Sequence, residues 1–99
     1  MATFTRSKHA LSVKHSVLVT GISLPTLVNG AAGVAVIPLT GVQVGDSVIL
    51  NWQSTIDTGL VQMQPAYVNA TNSIVVPFFN PTASNVTPAS TVNANVDVI

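Results

Sequence analysis

A chain of 99 residues is long enough for one domain with a modest core, and the absence of cysteine excludes disulfides and thiolate metal sites. Only 6% of the residues are charged, and three bases balance three acids, whereas about a quarter of the residues are charged in a typical soluble domain. So little surface charge favours a protein that neighbouring chains largely cover over a neutral, polar monomer.

The N-terminal segment carries every base and both histidines, and we predict that residues 1–15 form an extended basic arm ahead of a domain at residues 16–99. Three bases are too few for tight nucleic-acid binding at physiological salt, so we expect no direct nucleic-acid partner. Gly21 and Pro25 interrupt the apolar stretch after the arm, which argues against a signal peptide and against a membrane span. We expect a neighbouring protein subunit to order the arm by contacting these residues: Arg6, Lys8, His9, Lys14 and His15.

The body of the chain is rich in Val, Ile and Thr and is divided at short intervals by turn residues, which is typical of an all-β sandwich or barrel. We predict a small antiparallel β-sandwich, jelly-roll-like, with the extended N-terminal arm. Six strands are predicted, and seven or eight if the arm or residues 42–44 also pair. Their predicted ranges are 16–24, 34–39, 47–53, 60–68, 73–79 and 91–99.

Alternation within these strands predicts which side chains face the core. In the strand at 47–53, Val48, Leu50 and Trp52 share one face, and we interpret them as core anchors. The apolar run at 34–39 predicts a strand that is buried on both faces. The last strand alternates cleanly, with these side chains predicted to point inward: Val92, Ala94, Val96 and Val98.

Two prolines fall inside predicted strands. Proline has no N–H group to donate to a ladder, so Pro65 and Pro77 each predict an edge strand or a bulge at their position.

The sequence offers no recognisable catalytic set. Asp46, Asp57 and Asp97 lie far apart in sequence, in a predicted turn, a loop and a strand. The two histidines lie in the arm, no strained serine motif is present, and the glycines lack the spacing of a phosphate-binding loop. We therefore expect neither an enzyme nor a bound metal or cofactor. A carbohydrate-binding sandwich is a further alternative, but aromatic residues make up only 5% of the chain.

The second half of the chain contains a series of short motifs: VQVGDSV at 42–48, TGL at 58–60, AYVNATNSIVV at 66–76, FFNPT at 78–82, Pro88 and VDVI at 96–99. With these motifs, the chain from residue 42 to residue 99 resembles the head decoration (cement) proteins of bacteriophages and related modules of phage tails and fibres. The resemblance departs at Pro77, where a residue that can donate to the ladder is usual.

The resemblance implies a non-enzymatic virion protein on the phage head surface that bridges major capsid subunits as a homotrimer and stabilises the capsid. The alternative is a tail-side structural or host-binding module of a fibre or baseplate. We expect the arm and the loops at 54–59 and 80–90 to make the contacts. Deletion of residues 1–15 should leave the domain folded and abolish capsid binding.

Overall fold

The structure, a computed structural model, describes residues 15–56 and 59–99. These residues form seven β-strands in two antiparallel sheets and contain no helix, so the predicted all-β class is confirmed. The strands are β1 (His15–Ile22), β2 (Ala32–Pro38), β3 (Val48–Trp52), β4 (Val61–Gln62), β5 (Tyr67–Ala70), β6 (Ser73–Phe79) and β7 (Val92–Val98).

The two sheets form a small β-sandwich. Sheet I has the order β1-β7-β3, and in sheet II the central strand β6 pairs with β2 on one side and with β4 and β5 on the other. The chain crosses between the sheets from β1 to β2, β3 and β4 in turn.

The core lies between the sheets, where alternate residues of each strand point inward. Sheet II contributes Ile37, Ile74 and Phe78, all of them fully buried. Sheet I contributes the four inward residues of β7, all at 2% exposure or less, so the predicted alternation of the last strand is confirmed.

The predicted strand at 60–68 is broken into β4 and β5, both of which pair with the same edge of β6. Met63 N donates to Pro77 O at 3.0 Å, whereas Tyr67 already pairs with Val75. Four residue steps from 63 to 67 therefore face only two steps on β6, and the extra residues bulge out around Pro65. The prediction that Pro65 marks an edge strand or a bulge is confirmed.

Pro77 lies in the middle of the central strand, so its interpretation as an edge or bulge marker on its own strand is wrong. The carbonyl of Pro77 points toward Met63, and in an antiparallel strand the N and C=O of one residue point to the same side. The missing N–H therefore faces the bulged link between β4 and β5. The central strand β6 tolerates proline at this position because its partner chain, the link between β4 and β5, bulges away from the hydrogen-bond ladder beside Pro77.

Asn80 holds the loop that follows β6. Its side chain is fully buried, and Nδ2 donates to Leu27 O at 3.0 Å and to Ser84 O at 2.8 Å. Its Oδ1 accepts from the backbone N and the Oγ1 of Thr82, at 2.9 and 2.6 Å. The Asn-x-Thr part of the FFNPT stretch is thus a loop clamp in which every polar atom of the Asn80 side chain is used.

Candidate interaction surface

Sheet II is apolar on its outer side as well as on its core side. Since Ile74, Val76 and Phe78 point into the core, the intervening residues of β6 point outward. Cross-strand pairing places side chains of β2, β4 and β5 beside them on the same outward side. We call this surface the apolar face, and its members are Val34, Val36, Val61, Met63, Tyr67, Val75, Pro77 and Phe79.

The apolar face has a buried centre and exposed flanks. Val75 is only 5% exposed although it does not belong to the core cluster between the sheets, because outward neighbours on both sides shield it. On the flanks, Val36 is 52% exposed, Met63 48% and Tyr67 47%. The prediction that residues 34–39 are buried on both faces is therefore wrong for the chain alone: Val34 and Val36 face solvent because no other part of the described chain covers them.

The outward side of sheet I differs in chemistry. On β7 the outward residues are Asn93, Asn95 and Asp97; Asp97 is paired with Ser16 and Ile49, and Asn95 is paired with Leu18 and Asn51. Leu18 and Ile49 are the exposed large apolar side chains on this side. We call this surface the polar face. The contrast indicates that the apolar face is a specific feature and not a general result of the composition.

A cleft of about 430 Å³ opens between β3 and the bulged link. Two contacts between the sheets lie on either side of it. One is an isolated antiparallel β-bridge between Ser47 and Tyr67, and the other is a 3.0 Å hydrogen bond from Trp52 Nε1 to Gln62 Oε1. None of its lining side chains can exchange a proton near neutral pH, and Met63 joins it to the apolar face. The lining residues are Val48, Leu50, Gln62, Met63, Gln64, Pro65 and Ala66.

The predicted core anchors lie beside this cleft. Val48, Leu50 and Trp52 point inward from β3 and pack against the core cluster, but each is only half-buried because β3 is an edge strand of sheet I. The indole of Trp52 lies 6.0 Å from the ring of Phe78, measured between ring centroids.

The predicted contact residues of the arm cannot be placed together. Arg6, Lys8, His9 and Lys14 lie outside the described residues. His15 is the first residue of β1 and pairs with Val98. Its imidazole packs so closely over Gly41 that a Cβ there would come within 2.7 Å of Nε2.

The predicted contact loops differ in how firmly they are held. In the loop at 54–59, residues 57 and 58 lie outside the described residues. The loop at 80–90 is anchored by Asn80 and by two backbone hydrogen bonds between Leu27 and Val86, at 3.0 and 2.9 Å. Its first residue is buried, so contacts would have to come from its exposed positions, such as Ser84 and Asn85.

The described residues provide surfaces for non-covalent contact. Within residues 15–56 and 59–99, no three His, Cys, Asp or Glu side chains are grouped to hold a metal ion. Asp46 Oδ2 accepts a hydrogen bond from Gln43 N at 2.9 Å, which fixes the turn before β3. No helix in this part of the chain is long and apolar enough to cross a membrane.

The apolar face is not predicted by the sequence analysis above, because the face combines residues of several strands. The signal was present in β6, where Ile74 to Phe79 is an unbroken apolar run, as is typical of a strand covered on both sides. Sequence alone did not indicate that the outward residues of β2, β4 and β5 join this run in one surface.

Fold and surface together define a class: a small β-sandwich with one apolar sheet face that is partly exposed to solvent. The chain matches no protein-family model, no curated protein and no solved structure. Any assignment of function therefore depends on the chain's own residues and on the motif resemblance.

Proposed function

We propose that this chain is a non-enzymatic structural protein of a bacteriophage particle, a capsid decoration protein that binds the head surface and bridges major capsid subunits. The observation that carries the proposal is the apolar face, which contains no Asp, Glu, Lys, Arg or His and is about half exposed along both flanks. A contiguous exposed apolar patch often marks a site that contacts another protein.

The charge distribution supports a role in assembly. All three bases precede residue 15, so the described sandwich contains no Lys or Arg. Lone soluble domains depend on surface charge to stay apart in solution. A protein whose faces are covered by capsid subunits and by copies of itself does not need that charge.

A decoration protein acts by adding contact area without chemistry. A specific interface buries about 800 Å² on each partner, and the whole chain exposes 6006 Å². Two or three such contacts would cover a large fraction of this surface and would tie neighbouring capsid subunits together against the pressure of packaged DNA. A homotrimer placed where capsid subunits meet would multiply these contacts.

The test is to purify particles from cells that encode the chain and to quantify the chain by mass spectrometry against the major capsid protein. We expect hundreds of copies of the chain per particle. We also expect that particles without the chain release their DNA at a lower temperature. A few dozen copies or fewer, located at the tail, would instead support the fibre or baseplate module. Absence of the chain from purified particles would refute both assignments.

A further inference from the structure

We propose that the free edge of β3 binds an extended, uncharged peptide segment of a partner protein, which adds to sheet I as a further strand. The free edge is the side of β3 that faces away from β7, and the cleft of about 430 Å³ opens beside it. This binding mode deepens the proposed function and rests on it for the existence of a partner protein. The backbone groups of β3, the regularity of the strand and the chemistry of the cleft each support it.

The backbone of β3 presents hydrogen-bond donors and acceptors along its free edge. Ser47 and Ile99 exchange two hydrogen bonds, at 3.2 and 2.9 Å, and Gln53 N donates to Asn93 O at 2.8 Å. In an antiparallel pair, residues that bond to the neighbouring strand alternate with residues whose N–H and C=O point the other way. Leu50 belongs to the second set, so its N–H and C=O point away from β7 and toward the cleft that it lines.

These backbone groups have room for a further strand beside them. Among the described residues, β3 forms a ladder with β7 alone. Its two contacts with sheet II, the Ser47–Tyr67 bridge and the Trp52–Gln62 hydrogen bond, lie toward the two ends of the strand. About four residues of β3, or roughly 14 Å, remain open between them. An extended peptide backbone matches such an edge, because it repeats the same donors and acceptors at the same spacing.

The other edge strands of the described sheets carry features that disfavour strand addition. β1 has a register shift between Val19 and Ile22, β2 ends in Pro38, and the link between β4 and β5 bulges around Pro65. Bulges, prolines and charged residues commonly protect a sheet edge from pairing. By contrast, β3 pairs with β7 in unbroken register and contains no proline, glycine or charged residue. The free edge of β3 is therefore the edge best suited to accept a strand.

The cleft determines which side chains the segment can carry. A strand beside β3 would point alternate side chains into the cleft, whose volume of about 430 Å³ lies within the range of about 300–1,000 Å³ for ligand pockets. No Asp, Glu, Lys, Arg or His lines the cleft. A charged side chain that entered it would lose hydration without gaining a counter-ion. The segment therefore carries apolar or small uncharged side chains on the side that faces the cleft.

The contact is short, so an isolated peptide should bind weakly. The open part of β3 offers few ladder hydrogen bonds, and a free peptide loses conformational freedom when it is ordered. We expect a Kd of about 0.1–1 mM for a peptide of about five residues. A partner protein that other contacts already hold in place would occupy the edge more completely, because its segment is present at a high effective concentration.

NMR of the nitrogen-15-labelled full chain tests the proposal, with the peptide acetyl-Thr-Val-Thr-Val-Thr-amide as the probe. On titration to about 5 mM, the amide signal of Leu50 should shift in a saturable way, and its hydrogen exchange should slow at least about threefold. The amides of Ile49 and Asn51 bond to β7 and should change less. Absence of a saturable shift at Leu50 would overturn the proposal.

The matched control peptide carries N-methyl groups on its two valines, which keeps the side chains and removes two backbone donors. It should bind at least about tenfold more weakly, because two ladder hydrogen bonds are lost. Equal binding of the two peptides would overturn the proposal, because it would show a pocket for side chains and not a strand edge.

The chain without residues 1–14 tests a different occupant. If these residues themselves covered the free edge, the Leu50 amide would exchange slowly in the full chain without peptide and faster after the deletion. That result would overturn the assignment of the edge to a partner protein. We expect equally fast exchange of this amide in the two chains.

These measurements are independent of the test on particles. A chain that binds the probe peptide but is absent from particles would refute the decoration role and leave the strand edge standing. A chain that is abundant on particles but does not bind the probe peptide would refute strand addition and leave the role standing.

Discussion

Replacing Asn80 with Ala should remove a large part of the stability of the sandwich. The substitution deletes four hydrogen bonds and leaves the N–H of Thr82 without this partner. The carbonyls of Leu27 and Ser84 each keep one other donor, Val86 N and Thr82 Oγ1. Each lost hydrogen bond costs about 0.5–1.5 kcal/mol, and an unpaired buried polar group costs about 1–3 kcal/mol. Because only part of this network is fully buried, we expect a loss of about 2–4 kcal/mol in the free energy of unfolding, where a domain of this size has about 5–10 kcal/mol in total.

Urea unfolding followed by the fluorescence of Trp52 measures this loss, because the half-buried indole near Phe78 becomes solvated on unfolding. Asn95→Ala is the control: Asn95 is exposed on the polar face, and its loss should change stability by less than about 0.5 kcal/mol. If Asn80→Ala also costs less than about 1 kcal/mol, the loop is not held by this side chain, and the interpretation of the Asn-x-Thr stretch as a clamp is wrong.

Two further substitutions and one deletion test other parts of the geometry. Pro77→Val should change the free energy of unfolding, measured by urea titration, by less than about 1 kcal/mol, because the added N–H faces the bulged link between β4 and β5. A loss above about 2 kcal/mol would show that the N–H at position 77 does not point toward this link. Gly41→Ala should lower the free energy of unfolding by about 1–3 kcal/mol more than Gly45→Ala does. Both glycines have a positive φ, 100° and 102°, but only at Gly41 would the new Cβ meet the His15 side chain. Equal shifts of the thermal unfolding midpoint would disprove this close packing. Deletion of residues 1–14, which keeps His15 and hence all of β1, should leave the unfolding midpoint nearly unchanged and abolish binding to particles, and unchanged occupancy on particles would rule out a contact role for the arm.

Periodic patterns predicted the parts of the fold that depend on a single strand. The alternation of Val92, Ala94, Val96 and Val98 predicted the inward face of β7, and Pro65 predicted a disturbed edge. These features are local, because alternation and proline chemistry act within a few residues.

Features that depend on strand order could not be read in the same way. Pro77 in isolation favours an edge strand, and only the pairing of β6 with strands on both sides shows that the missing donor faces a bulge. The apolar face likewise combines β2, β4, β5 and β6, which are separated by up to 47 residues, from Ala32 to Phe79. Sequence spacing alone does not specify which strands become neighbours in a sheet.

In the assembled state we expect protein to cover the apolar face. Hydroxyl-radical footprinting tests it directly, because the Met63 sulfur and the Tyr67 ring are reactive and about half exposed in the single chain, at 48% and 47%. Labelling of these two residues should fall several-fold between dilute chain and assembled material, while labelling of Leu18 on the polar face stays more nearly constant. Equal labelling of Met63 and Tyr67 in the two states would contradict the account.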